Sequence, residues 1–119
     1  SYIHSESYAA GELKHGTIAL IEKGTPVIAI ATQEELFEKM VSNMEEVRAR
    51  GAYVIAIAQE KNTEVEKAAD KVIYIPNVDD IVSSILTVLP LQLLSYYVAV
   101  ERGCDVDKPR NLAKSVTVE

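Results

Sequence analysis

The stretch VIAIATQEE at residues 27–35 decides the fold of this chain. Its first five residues are continuously apolar, which is the pattern of a parallel strand that is buried on both faces. Thr32 and Glu35 have the spacing of a capping box, in which the threonine hydroxyl and the glutamate carboxylate each take a backbone amide. The stretch therefore predicts a buried strand that is followed at once by a helix.

The same pattern continues toward the C-terminus. The helix after Thr32 carries apolar residues at 3.6-residue spacing and ends near Gly51. Those apolar residues are Leu36, Phe37, Met40, Val41, Met44 and Val47. Residues 53–58 repeat the buried strand, residues 63–66 repeat the capping box and begin a short helix, and residues 72–76 predict a third strand. This alternation of strands and helices indicates a parallel α/β unit.

Two further helices are predicted outside this unit. Residues 2–14 are rich in Ala, Glu, Leu and Tyr and stop at Gly16, which indicates a helix with a glycine C-cap. Residues 79–102 have helical composition, although Pro90 predicts a kink or a restart. This second helix is apolar on nearly every side. We therefore expect an upstream domain or a second subunit to cover it.

The composition excludes several classes of function. With 119 residues, 48% hydrophobic and 25% charged, the chain has the balance of one globular domain and not of a disordered chain. The single cysteine, Cys104, excludes an internal disulfide and favours a reduced, cytoplasmic setting. A net charge of −6 argues against nucleic acid and anionic membranes as partners. Polar residues and Pro90 interrupt the longest apolar stretch, residues 81–100, so no membrane span is predicted.

Common motifs for cofactors and metals are absent from the sequence. There is no G-x-G-x-x-G, Walker A, G-x-S-x-G, H-E-x-x-H or CxxC. His4 and His15 would lie about 16 Å apart on a helix, too far to share a metal ion. The start at Ser1 has no leader sequence, and a three-stranded sheet is small for an α/β protein. We therefore expect a C-terminal fragment of a longer chain, with no cofactor and no metal.

Two residues are candidates for chemistry, and each also has a simple structural explanation. His15 lies where a predicted helix ends, so its imidazole is either an acid or base near neutral pH or a cap that offsets the helix dipole. Lys114 has small and apolar neighbours. It is either a buried amine that attacks a sugar ketone to form an imine or an exposed lysine on a flexible tail.

Four blocks of sequence carry a resemblance to a known family. They are ELKHG at 12–16, VRARG at 47–51, PLQLL at 90–94 and DVDKPRNLAKSVTVE at 105–119. Together they resemble the glutamine:fructose-6-phosphate aminotransferases, or glucosamine-6-phosphate synthases, and the resemblance covers essentially all 119 residues. The matching part of that family is the second sugar-isomerase (SIS) half of its isomerase domain plus the C-terminal tail.

The resemblance implies a fold and a division of the chain. The fold is an α/β fold of SIS type, in which a flavodoxin-like parallel sheet is sandwiched between helices in three layers, αβα. Residues 1–103 would form the second SIS subdomain, and residues 104–119 would form an active-site tail.

The resemblance also implies an activity in hexosamine synthesis. Lys114 would form an imine with open-chain fructose 6-phosphate, with Ala113 beside the sugar. His15 would assist ring opening from the neighbouring subunit of a homodimer. Ammonia from a separate glutaminase domain would enter at C2, and a proton would move between C1 and C2 to give glucosamine 6-phosphate. No cofactor is implied.

The resemblance leaves two parts of the site outside this chain. The family's general-base glutamate and its Ser/Thr-rich phosphate-binding loop both precede Ser1, so we expect the 119 residues alone to be inactive. Thr17 stands where the family often has proline, a change that affects loop stiffness more than chemistry. Two alternatives stay open. One is a SIS-family amino-sugar-phosphate deaminase or deglycase, and the other is a non-catalytic SIS module that senses sugar phosphates.

Overall fold

The computed structural model describes residues 1–110, which form a three-stranded parallel sheet with helices packed against it. The strands lie in the sheet in the order in which they occur in the sequence. The regular elements are β1 (Pro26–Ala31), α1 (Phe37–Ala49), β2 (Tyr53–Gln59), β3 (Lys71–Ile75) and α2 (Asp80–Glu101). Short 3₁₀ helices occupy Ala10–His15, Thr17–Leu20, Glu34–Leu36 and Thr63–Lys67. The three predicted strands and their parallel arrangement are confirmed.

One face of the sheet, here called the closed face, is covered by α1 and by the 3₁₀ helix Thr63–Lys67. Alanines on the strands leave room there for larger side chains from the helices. The buried set includes Ala29, Ala31, Met44, Val47, Val54, Ala56, Ala58, Val65 and Ala68. Arg48 ties the two helices together, because its Nη1 donates to the Lys67 carbonyl at 2.8 Å and its Nη2 lies 3.4 Å from Asp70 Oδ1.

The other face, here called the open face, is only partly covered. It carries the alternate residues of each strand, and parallel pairing places Ile30, Ile57 and Ile73 side by side. The helix α2 packs against β3, and Ile57 is 1% exposed, whereas Ile30 at the edge is 47% exposed. The sheet therefore has helices on both faces, which confirms the predicted three-layer α/β/α fold, but the second layer is incomplete.

The helix α2 is unusually exposed for its composition. By length and apolarity alone it qualifies as a candidate membrane-crossing helix, and only 11% of its most apolar window is buried. It runs unbroken through Pro90, so the predicted restart is wrong, whereas the alternative of a kink stays a prediction. Proline removes one backbone hydrogen bond, and the remaining bonds of a 22-residue helix are enough to continue it. The buried hydroxyl of Thr87 donates to the Ser83 carbonyl within the helix.

The predicted helix over residues 2–14 is wrong. Residues 1–9 have no regular secondary structure and are all exposed, and only the 3₁₀ helix Ala10–His15 forms. A helix of this length is marginal in water unless one face packs against the rest of the protein. Here no such face exists before Ala10, and the positive φ of Tyr2, 56°, is incompatible with a right-handed helix.

Neither predicted capping box forms. Thr32 is buried, and its carbonyl accepts a hydrogen bond from the Gln59 side chain, so the chain first makes the 3₁₀ helix Glu34–Leu36 and α1 begins at Phe37. Thr63 begins a 3₁₀ helix without a side-chain cap. At Thr32 a contact with a distant segment takes the carbonyl with which a helix would begin.

The predicted end of α1 near Gly51 is confirmed. Gly51 has a φ of +97°, and a Cβ at this position would lie 2.9 Å from the Cα of Lys23. The position therefore requires glycine both for its backbone conformation and for the close approach of another segment.

Candidate functional site

His15 lies at the surface, at the end of the 3₁₀ helix Ala10–His15. The segment is anchored by the half-buried Leu13 and the buried Ile18, which pack against the core of the closed face. These apolar residues hold the backbone in place and leave the His15 side chain exposed. An imidazole presented in this way can act on a molecule that is bound by another chain.

The other histidine, His4, belongs to a separate cluster. Its Nε2 lies 3.1 Å from Glu6 Oε1, and the Tyr8 hydroxyl donates to the other oxygen of the same carboxylate. The hydrogen bond from Tyr8 and, next, the contact with His4 lower the pKa of Glu6, and the same bond raises the pKa of Tyr8. Within residues 1–110, no group of three or more His, Cys, Asp or Glu side chains could hold a metal ion.

The carboxyl ends of the three strands are joined by one side chain, that of Gln59. It is 1% exposed, its Nε2 donates to the Thr32 carbonyl at 2.9 Å, and its Oε1 accepts the Val78 N–H at 3.0 Å. A buried amide with both ends bonded is held in one orientation. Sequence analysis missed this residue, although a polar residue at the end of an apolar strand was the available signal.

A cleft of about 480 Å³ opens beside Gln59. It lies at the carboxyl edge of the sheet, where parallel α/β proteins hold their ligands. Its lining residues are Gln59, Lys61, Asn77, Val78, Asp79 and Val82. The Lys61 ammonium pairs with the Glu34 carboxylate, and the Lys61 N–H donates to Asn77 Oδ1 at 2.9 Å. Because the lysine is already paired, the cleft offers amide and backbone groups together with the carboxylate of Asp79.

The two ends of the described chain meet. The guanidinium carbon of Arg110 lies 3.9 Å from the centroid of the Tyr2 ring, and the Arg110 N–H donates to the Tyr2 hydroxyl at 2.7 Å. Arg102 Nη1 donates to the Ser1 carbonyl at 2.8 Å. These contacts join residues more than 100 positions apart, so no local sequence pattern could have shown them.

The predicted catalytic lysine lies outside the described residues, as does Ala113. Of the three predicted site residues, His15, Ala113 and Lys114, the structure therefore describes His15. It also places Arg110, which precedes Lys114 by four residues.

These elements define the class of protein. The SIS domain family matches residues 1–102. Together with the parallel three-layer fold, this shows that the chain belongs to the SIS domain family.

Several known proteins of high similarity share one name. Over all 119 residues the chain is 67% identical to the glutamine–fructose-6-phosphate aminotransferase (isomerizing) of Caldanaerobacter subterraneus subsp. tengcongensis and covers 20% of that protein. The proteins of this name from Thermus thermophilus and Methanosarcina acetivorans are 58% and 57% identical, again over the whole of this chain. The chain spans about a fifth of the length of these relatives, and the resemblance stated from the four sequence blocks is confirmed.

A solved structure agrees with the sequence relatives. The C-terminal domain of glucosamine-fructose-6-phosphate aminotransferase from Francisella tularensis has a TM-score of 0.83 and 41% sequence identity. The match covers 91% of this chain and 31% of that one. The chain therefore resembles one part of a larger C-terminal domain.

Proposed function

We propose that this chain is the second SIS part of the isomerase domain of a glutamine–fructose-6-phosphate aminotransferase. The complete protein makes glucosamine 6-phosphate from fructose 6-phosphate and ammonia that is released from glutamine. One observation carries the proposal. The 67% identity extends over all 119 residues and so includes the tail block at 105–119 that contains Lys114.

Each candidate residue has a role in this reaction. The neutral amine of Lys114 adds to the ketone of the open-chain sugar and loses water to form an imine. Ala113 lies beside the sugar, and residues 104–119 act as a tail attached to the SIS subdomain 1–103. His15 moves a proton during ring opening. Its exposure on an anchored segment supports a role at the site of a neighbouring subunit in a homodimer.

The open face and α2 are covered in the complete protein by its preceding SIS half or by a second subunit. This chain covers 31% of the matched Francisella domain, so a domain of that size contains further residues that can cover α2 and the open face. Side chains such as Ile85, 64% exposed, are then buried by protein and not by lipid. The complete enzyme is cytoplasmic, contains a separate glutaminase domain, and binds neither nucleic acid nor membrane. The 119 residues alone do not turn over substrate.

The experiment is borohydride trapping in the full-length protein. Incubation with fructose 6-phosphate and borohydride should reduce the imine and leave a sugar-phosphate adduct, which peptide mass mapping should locate on Lys114. The Lys114→Met variant should bind the sugar and give no adduct. If the wild-type protein binds the sugar but Lys114 stays unmodified, the proposed nucleophile is wrong and a sensing function is favoured.

The role of His15 is tested against the second histidine of the chain. His15→Gln should lower kcat by about 100-fold or more, in the range that positioned proton transfer contributes. His4→Gln is the matched control, because His4 is 83% exposed at its side chain and contacts only its neighbour Glu6 among the described contacts. Equal activity of the two variants would remove His15 from the mechanism.

A further inference from the structure

Tyr2 has an unusual backbone conformation. Among residues 1–110 it is the one non-glycine residue with a positive φ, at 56°. Residues with a Cβ avoid this left-handed region, and they adopt it only where surrounding contacts impose it. Such residues cluster at functional sites. The contacts that impose the conformation therefore point to what Tyr2 does.

The Tyr2 side chain holds Arg110 in two ways. The guanidinium lies over the face of the ring, with Cζ 3.9 Å from the centroid, where the electron-rich face attracts a cation. The backbone N–H of the same arginine donates to the hydroxyl at 2.7 Å. Contact with both the side chain and the backbone of one residue sets where the chain lies at Arg110.

The segments on both sides of this contact are also held. Arg102, which follows directly after α2, donates from Nη1 to the Ser1 carbonyl at 2.8 Å. The carboxylate of Asp105 accepts the N–H groups of Asp107 and Lys108, each at 3.0 Å. The connection from α2 to Arg110 thus has a local turn at Asp105 and is fastened to the N-terminal segment at both ends, by Arg102 and by the contact of Arg110 with Tyr2.

We propose that Tyr2 is a positioning residue for the reaction of Lys114. By holding the chain at Arg110, four residues before the lysine, Tyr2 limits the positions from which the amine meets the sugar carbonyl. Four residues span at most about 14 Å, so the point of attachment restricts the approach. Small misplacements of reacting groups are costly, about 100-fold for 1 Å. This proposal rests on the role of Lys114 proposed above.

In the full-length enzyme, Tyr2→Phe and Arg110→Gln each remove one of the two contacts between Tyr2 and Arg110. Tyr2→Phe removes the hydroxyl and keeps the ring beneath the guanidinium. Arg110→Gln removes the guanidinium and keeps the backbone N–H. Tyr2→Leu removes both contacts. Tyr74→Phe is the matched control, since its hydroxyl also makes one exposed hydrogen bond, to Glu66 at 2.7 Å.

The measurements are kcat and KM for fructose 6-phosphate, the rate of borohydride-trapped adduct formation on Lys114, and the thermal midpoint. We expect Tyr2→Phe and Arg110→Gln, which each lose one contact, to slow adduct formation and kcat by about 3-fold. Tyr2→Leu, which loses both contacts, should slow them by about 10-fold. KM should stay within about 2-fold, because Tyr2 positions the lysine and does not bind the sugar. Tyr74→Phe should match the wild type.

Three outcomes would overturn the proposal. Adduct formation within 2-fold of wild type in Tyr2→Leu, or in Arg110→Gln should Tyr2→Leu not fold, shows that the contact does not position the lysine. A raised KM with unchanged kcat assigns Tyr2 to substrate binding. A wild-type enzyme that forms no adduct on Lys114 removes the proposed function itself. If only the Tyr2 proposal fails, the wild-type enzyme still forms the adduct on Lys114, and this distinguishes the two failures.

Discussion

Both faces of the sheet are apolar, but this chain covers only one of them completely. On the closed face, Met44 and Val47 of α1 are each 2% exposed. Beside the open face, Ile81 and Ile85 of α2 are 87% and 64% exposed. The apolar surface needed for a core is present on both sides. The difference lies in the covering layer, which we propose is completed on the open face by the preceding SIS half or by a second subunit.

The exposed apolar side chains of α2 are explained by the greater length of the relatives of this chain. A monomer rarely exposes so much contiguous apolar surface, and such a patch marks a contact. The chain spans 20% of its relative from Caldanaerobacter, so ample sequence is present in that protein to supply the contact. Substitutions in α1, in α2 and at the glycines that follow them test this difference.

The largest effect is expected on the closed face. Met44→Ala should lower the free energy of unfolding by about 3 kcal/mol, because it removes a fully buried side chain and leaves a cavity. Met40→Ala is the matched control on the same helix, and its half-buried side chain should cost about 1 kcal/mol. Urea denaturation measures both. Equal losses would mean that α1 does not seal this face as described.

The next effect is expected on α2. Ile85→Ala should lower the free energy of unfolding of the full-length protein by about 2 kcal/mol, since we expect its side chain to be buried there. A side chain that stays 64% exposed would cost less than about 0.5 kcal/mol. Lys39→Ala on the exposed side of α1 is the control and should be neutral. A neutral Ile85→Ala would show that the open face remains open.

The smallest effect separates the glycines that follow the two long helices. Gly51 and Gly103 have φ values of +97° and +67°, so alanine is strained at both. Only at Gly51 would the new Cβ meet another segment, 2.9 Å from the Lys23 Cα, whereas nothing lies within 4 Å at Gly103. Gly51→Ala should therefore cost about 1 kcal/mol more than Gly103→Ala in urea denaturation. Equal costs would show that the Lys23 backbone yields.

The sheet could be predicted from the sequence because its strands lie between two layers of helices. Such strands are apolar at every position, and the runs at 27–31 and 53–58 have this pattern. The family could be predicted because the blocks that carry the resemblance are specific in sequence, and the relatives confirm it.

The remaining features depend on contacts between distant segments. The composition of residues 2–14 favours a helix, but residues 1–9 are all exposed and no helical face packs there. The Thr32 capping box has the right spacing, yet the Gln59 side chain takes the Thr32 carbonyl. The contact of Tyr2 with Arg110 spans 108 positions. No local pattern contains information about such pairs.

The Gln59 amide has a mechanical consequence. It connects the loop after β1, through the Thr32 carbonyl, to the loop after β3, through the Val78 N–H, while its own backbone ends β2. A shift of either loop strains a hydrogen bond to the same rigid planar group. The loops at this edge are therefore coupled through one amide, and a displacement at one strand end acts on the others.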